Sequence, residues 1–157
     1  MIGTEQKVWE GLRKAAEQID GRFTLTRIET LTRVGVSDVE YASSHAHGWV
    51  EIKTSSSRET GNLVLHHPFS IAQQQWLSLH HDPKRYLHSW LLVGVLGART
   101  WRELLLLPPA VSIQLVHVRP APLYEHIMDD ARVVRCKDMH QVARAIYQPS
   151  KEKELRK

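Results

Sequence analysis

Gly35-Val36-Ser37-Asp38-Val39-Glu40-Tyr41-Ala42-Ser43-Ser44-His45-Ala46-His47-Gly48-Trp49-Val50-Glu51-Ile52-Lys53-Thr54 is the stretch on which the reading of this chain turns. Gly48 to Lys53 is β-branched and aromatic and follows a Gly-containing turn, which predicts a strand. Side chains on a strand alternate between its faces. Trp49, Glu51 and Lys53 therefore share one face, and Val50 and Ile52 the other. Val36 to Tyr41 is also predicted to be extended, with Asp38 and Glu40 on a common face. Ala42 to Gly48, rich in Ser, His and Gly, turns the chain back. A hairpin of this kind brings Asp38 beside Glu51 and Lys53.

Two carboxylates held close together repel, and both stay ionised only if a cation sits between them. Hard oxygen donors select Mg²⁺ or Mn²⁺ over zinc. Such an ion polarises a phosphate oxygen and acidifies water. Lys53 would add a positive charge beside the reacting phosphate, and the peptide carbonyl of Ile52 is a further hard donor. The alternative is a surface hairpin with ordinary solvated charges, since Asp…Glu-x-Lys also arises by chance.

The flanking segments bear on that choice. Thr4 to Ile19 is predicted to be an amphipathic helix, with Val8, Leu12, Ala15 and Ile19 in one stripe. Glu5 lies roughly 60° from Val8 on the helical wheel and so continues the inward stripe. An unpaired carboxylate there would be costly. Either Glu5 is a third carboxylate of the site, or it simply favours the helix N-terminus behind a Thr4 cap. Thr54 to Asn62 is predicted to be a polar loop. Ser70 with Gln73 matches a capping box at the start of a second helix. Gln73 then either serves the cap alone or points back at the site, with Gln75 as the competing choice. Ile71, Ala72, Trp76 and Leu79 are expected to form that helix's apolar side.

In order, these motifs are a helix Glu5, Gly35-x-x-Asp38, strand Glu51-x-Lys53 and Ser70-x-x-Gln73-x-x-Trp76-Leu77. The set resembles the PD-(D/E)XK nuclease superfamily, and within it the phage and archaeal Holliday-junction resolvases and the related VRR-NUC domains. The opening Gly3-Thr4-Glu5-Gln6-Lys7-Val8 is similar to the start of the phage endonuclease I type of resolvase, and the resemblance covers about residues 3–97. It implies a restriction-endonuclease-like α/β fold, a mixed central sheet flanked by helices. It also implies a catalytic set of Glu5, Asp38, Glu51 and Lys53 with Gln73 as accessory. Mg²⁺ or Mn²⁺ would be held by Asp38, Glu51, the Ile52 carbonyl and Glu5. The implied activity is paired, symmetric nicking of four-way DNA junctions by a homodimer, leaving 5′-phosphates. The phage members of the group would act inside an infected host cell. Ser37 departs from the pattern, standing where the superfamily name has Pro, and the gap from Asp38 to Glu51 is long. Two other functions stay open: a VRR-NUC-like repair nuclease acting on flaps, nicks or ends, and a nuclease fold kept as a nucleic-acid-binding module without catalysis.

Global features agree with a polyanionic partner. The chain has 157 residues, enough for one domain with a real core, and 21 Lys and Arg against 17 Asp and Glu give a net charge of +4. Arg33, Arg58, Lys84 and Arg85 are candidate contacts to DNA phosphates. Ten histidines include the pairs His66-His67 and His80-His81, but with Cys136 as the single cysteine a structural zinc site is not expected. One cysteine also suits a reducing, cytoplasmic setting. No apolar run reaches membrane-spanning length.

Arg22 to Val34, Ser89 to Leu96, Thr100 to Leu107 and Val111 to Val118 are predicted strands, and Asp138 to Tyr147 a helix. Residues 1–148 form one expected nuclease domain, with a core over 3–107, an extension over 108–148 and a charged tail over 149–157. The extension either completes the core or serves as a dimer contact or DNA clamp. Trp9, Tyr86, Trp90 and Trp101 are core candidates, any of which could instead anchor the dimer interface.

Overall fold

The computed structural model describes residues 4–29, 35–56 and 61–149. Its chain order is α1 (Thr4–Ile19), β1 (Thr24–Arg27), β2 (Val39–Ala42), β3 (His47–Ser56), α2 (Ile71–Leu79), β4 (Trp90–Leu96), β5 (Trp101–Leu107), α3 (Pro109–Ser112), α4 (Tyr124–Asp129), β6 (Val134–Cys136) and α5 (Met139–Tyr147). Short 3₁₀ turns span Pro83–Arg85 and Ile113–Leu115. The six strands form one mixed sheet in chain order, β1 to β6. Every neighbouring pair is antiparallel except β3 and β4, which run parallel. Parallel neighbours need a crossover, and α2 lies within it. The α/β class with helices on both faces is thus the observed one.

The central strands are buried on both faces, which explains their unbroken apolar runs. Val50, Ile52, Leu92, Leu104 and Leu106 face a core built with Val8, Leu12, Ala15 and Ala16 of α1 and Val142, Ala143 and Ile146 of α5. Leu91, Val93, Val95, Leu105 and Leu107 face the opposite core, with Leu77 of α2, Val111, Leu115 and Ile127. Gly94 is where α1 crosses closest: a Cβ there would meet the Trp101 ring at 2.8 Å and Val8 at 3.1 Å.

Several expectations change. Among the described residues of the first predicted strand only Thr24–Arg27 is a strand, and residues 30–34 lie outside the described residues. β3 runs on through Thr54, Ser55 and Ser56 instead of ending in a loop. Those polar residues find partners: Ser55 Oγ donates to the Val64 carbonyl at 2.7 Å, and the Thr54 carbonyl accepts from the His66 N–H at 2.8 Å. Val111 to Val118 is not a strand. Pro109 occupies the first turn of α3, where a missing N–H is harmless, and Val111 and Leu115 then bury together at helical spacing. On α2, Ile71 and Leu79 are 47 % and 78 % exposed, while the buried side carries Gln74 and Leu77. Trp90 is buried, Trp9 and Trp101 pack partly buried against the core, and Tyr86 is exposed rather than core. The extension completes the fold: β6 closes the sheet beside β5, and α5 packs on α1. The charged tail lies outside the described residues from residue 150 onward. No helix among the described residues is long and apolar enough to cross a membrane.

Candidate active site

β2 begins only at Val39, opposite Val50, whereas β3 continues to Ser56 along β4. β2 therefore leaves the edge of β3 at about Ile52, before the Leu65 bridge takes it up at Ser55, and Asp38 sits at this fork. Its carboxylate Oδ2 accepts the Ile52 N–H at 2.9 Å, in place of a strand partner. Its own N–H donates to Glu51 Oε2 at 3.2 Å. The predicted hairpin thus joins the two carboxyls directly. Glu40, expected on the same face as Asp38, is exposed. The Ile52 carbonyl opens on the same edge as that of Thr54, two residues on, and so lies toward Asp38.

Glu51 is 1 % and Lys53 6 % exposed, on the α2 side of the sheet. Lys53 Nζ lies 3.7 Å from Glu51 Oε1. The same oxygen accepts the Gln73 side-chain amide at 2.8 Å. Gln73 also completes the capping box: its N–H donates to Ser70 Oγ, and its Oε1 accepts from the Ser70 N–H. The cap and the site are therefore served by one side chain. A glutamate at this position would cap equally well but could not donate to Glu51, which gives a physical reason for the amide. Gln75 is exposed and not involved.

Burial drives the electrostatics. Desolvation, followed by the Asp38 charge, pushes Glu51 up to about 9, and the nearby Lys53 only partly offsets this. Asp38 is raised as well, again chiefly by burial, against the Ile52 N–H and Lys53, which lower it. The salt-bridge distance to Lys53 favours an ionised Glu51, whereas burial beside Asp38 favours a protonated one. At 3.7 Å the ammonium is beyond close hydrogen-bond contact, so we take the burial effect to prevail. Without a cation the two carboxyls together retain a proton near neutral pH.

Glu5 approaches from α1, on the other side of the fork. It lines a small cleft with Trp9, Arg27, Asp38, Val39 and Ile52, and its charge contributes to the rise at Asp38. Its carboxylate pairs with His67 Nδ1 at 2.9 Å. Among the described residues no group of three or more His, Cys, Asp and Glu side chains converges as a metal cage. Two carboxyls and a carbonyl meet at the fork, with Glu5 beside them and turned to His67. These are hard oxygens, the donor type that suits Mg²⁺.

Two features escaped the sequence reading. His66 is held between the Thr54 hydroxyl at 2.8 Å and the Ser56 hydroxyl at 2.7 Å, and Thr54 in turn meets Thr4 at 3.1 Å. The signal available was a His pair following a strand end rich in hydroxyls. Trp49, on the Glu51 face of β3, packs edge-to-face on Trp76 with ring centroids 5.2 Å apart, behind the site.

Of the proposed phosphate contacts, Lys84 and Arg85 lie at the far end of β3, where the His47 N–H donates to the Tyr86 carbonyl at 3.0 Å. They are not beside the carboxyls. Arg33 and Arg58 lie outside the described residues. No protein-family model matches the chain, and no curated protein matches it.

Proposed function

We propose that this chain is a metal-dependent DNA endonuclease, acting on branched DNA and above all on four-way junctions. One observation carries the reading: a buried Glu51 and a half-buried Asp38 lie side by side at a sheet fork, with Lys53 and Gln73 directed at Glu51. Such a carboxyl pair costs stability that a core would recover with apolar residues, and groups of this kind cluster at functional sites. The ordered motifs that resemble PD-(D/E)XK nucleases support the same reading, as does the mixed α/β sheet, which we take to be restriction-endonuclease-like.

Asp38, Glu51 and the Ile52 carbonyl would hold Mg²⁺ or Mn²⁺, with Glu5 able to join on leaving His67. When bound, the ion neutralises the carboxylates and polarises a phosphate oxygen. Gln73 fixes the Glu51 rotamer, and Lys53 presents its charge to the phosphate from the same strand face. Water displaces the 3′ oxygen in line and a 5′-phosphate remains. Symmetric cutting of a junction calls for a two-fold dimer, acting inside the cell.

The test is cleavage of a labelled four-way junction beside duplex, flap and single-stranded controls, in Mg²⁺, in EDTA and with Glu51→Gln. Paired nicks confined to the junction, and lost with EDTA or the variant, are expected. Cutting mainly of flaps or ends would move the chain to the repair-nuclease reading. Tight binding with no metal-dependent cutting would overturn the enzymatic assignment.

A further inference from the structure

Tyr86 is the residue that the fold explains least. It is the one non-glycine among the described residues with a left-handed backbone, at φ 60° and ψ 24°. Side chains disfavour that region, and such outliers point to function when nothing local requires them. Its peptide group is structural: the N–H closes the 3₁₀ turn on the Pro83 carbonyl at 3.1 Å, and the carbonyl accepts from His47 at 3.0 Å. Glycine would supply both bonds without strain. The ring gains nothing from the fold, being 65 % exposed. Lys84 and Arg85 precede it, both exposed. Arg85 makes only a long surface pair with Asp82, at 3.6 Å, and its side chain remains 85 % exposed. His47, where this turn joins β3, is four residues from Glu51, or about 13 Å along the strand.

We propose that Tyr86 stacks on an unpaired base of the DNA, with Lys84 and Arg85 on the adjoining phosphates, as a second grip beyond the carboxyl fork. An exposed ring next to two exposed cations matches the pairing of stacking and backbone charge found in single-strand recognition. A base inside a duplex has no free face to offer, so the grip selects DNA with unpaired bases at or near the branch. The inference rests on the nuclease reading for the identity of the polyanion, not for the contact itself.

The test is fluorescence anisotropy in EDTA, with a single-stranded oligonucleotide, a four-way junction and a blunt duplex, on wild type, Tyr86→Gly and Tyr86→Phe, together with thermal unfolding. Tyr86→Gly is expected to unfold at the same or a higher temperature. It should bind the single strand about 10-fold or more weakly and the duplex unchanged, while Tyr86→Phe binds like wild type. Three results would overturn the proposal: undiminished single-strand binding by Tyr86→Gly, an equal loss on all three DNAs with a lowered Tm, or no DNA binding by the wild type. Tyr86-dependent binding in a protein that never cuts would remove the nuclease reading and leave this one standing.

Discussion

The two faces of β3 follow opposite rules. On the α1 side, Val50 and Ile52 enter a dry apolar core. On the α2 side, Glu51, Lys53 and Ser55 are as deeply buried, but hydrogen-bonded and charged. The helices mirror this difference. α1 buries the apolar stripe that its periodicity predicts, whereas α2 buries Gln74, directs Gln73 to Glu51 and leaves Leu79 in solvent. Gln74 is held by the Pro109 carbonyl at 2.9 Å and the Ser112 hydroxyl at 2.6 Å. One helix is placed by hydrophobic burial and the other largely by polar anchors.

The sharpest way to break this comparison is Glu51→Gln. If the α2 face serves catalysis, nicking falls by on the order of 10²–10³-fold or more, while Tm measured in EDTA at pH 8 rises. A protein that loses both activity and stability would make Glu51 structural. Leu92→Ala probes the opposite face. Leu92 is fully buried, so urea denaturation should report a loss of about 2–5 kcal/mol, with residual nicking per folded molecule near wild type.

Gln73 separates its two duties. Gln73→Glu keeps the capping box but sets a carboxylate against Glu51, so stability in Mg²⁺ should hold while kcat drops about 10- to 100-fold, as for other supports of metal ligands. Gln73→Ala also loses the side-chain half of the capping box, while Ser70 still accepts its backbone N–H, and should cost about 0.5–1 kcal/mol more. Equal kcat for wild type and Gln73→Glu would show the amide to be a cap alone.

The pH dependence follows from Glu51, raised from the usual 4.5 to about 9. Between those values the folded state keeps a proton that the unfolded chain releases. The Glu51 contribution to stability in EDTA is therefore full below about pH 4.5 and is lost as pH rises toward 9. A series of Tm values with pH should show this decline, flattened in Glu51→Gln. The smallest effect is expected at Leu79, where Leu79→Ser should change stability by no more than about 0.5 kcal/mol, since the side chain is already in water.

Much of this was legible in the sequence because it rests on local pattern. The Thr4–Ile19 helix, the Asp38–Glu51 hairpin and the Ser70–Gln73 cap each carry their own signal, and Asp38, Glu51, Lys53 and Gln73 lie together at the fork while Glu5 stands beside it, paired with His67. What was not legible depended on tertiary partners. Thr54 to Ser56 has a loop's composition, and pairing with Gly94 to Leu96 of β4 makes it strand, with the Leu63–His66 segment laid along its other edge. The apolar surface of α2 was misread because periodicity does not distinguish a helix anchored by glutamines. Lys84 and Arg85 are candidate phosphate contacts by charge alone, and charge says nothing of how far they stand from the carboxyls.

Gly35 gives the site a mechanical character. At φ +88° it lies so close to α2 that a Cβ would stand 2.8 Å from both the Cβ and the backbone of Ala72. Asp38 follows three residues after this contact, and Gln73 one residue after Ala72. The loop bearing one carboxyl and the helix steadying the other are thus locked by a steric stop. The mutual placement of Asp38, Glu51 and Gln73 is built into the scaffold itself.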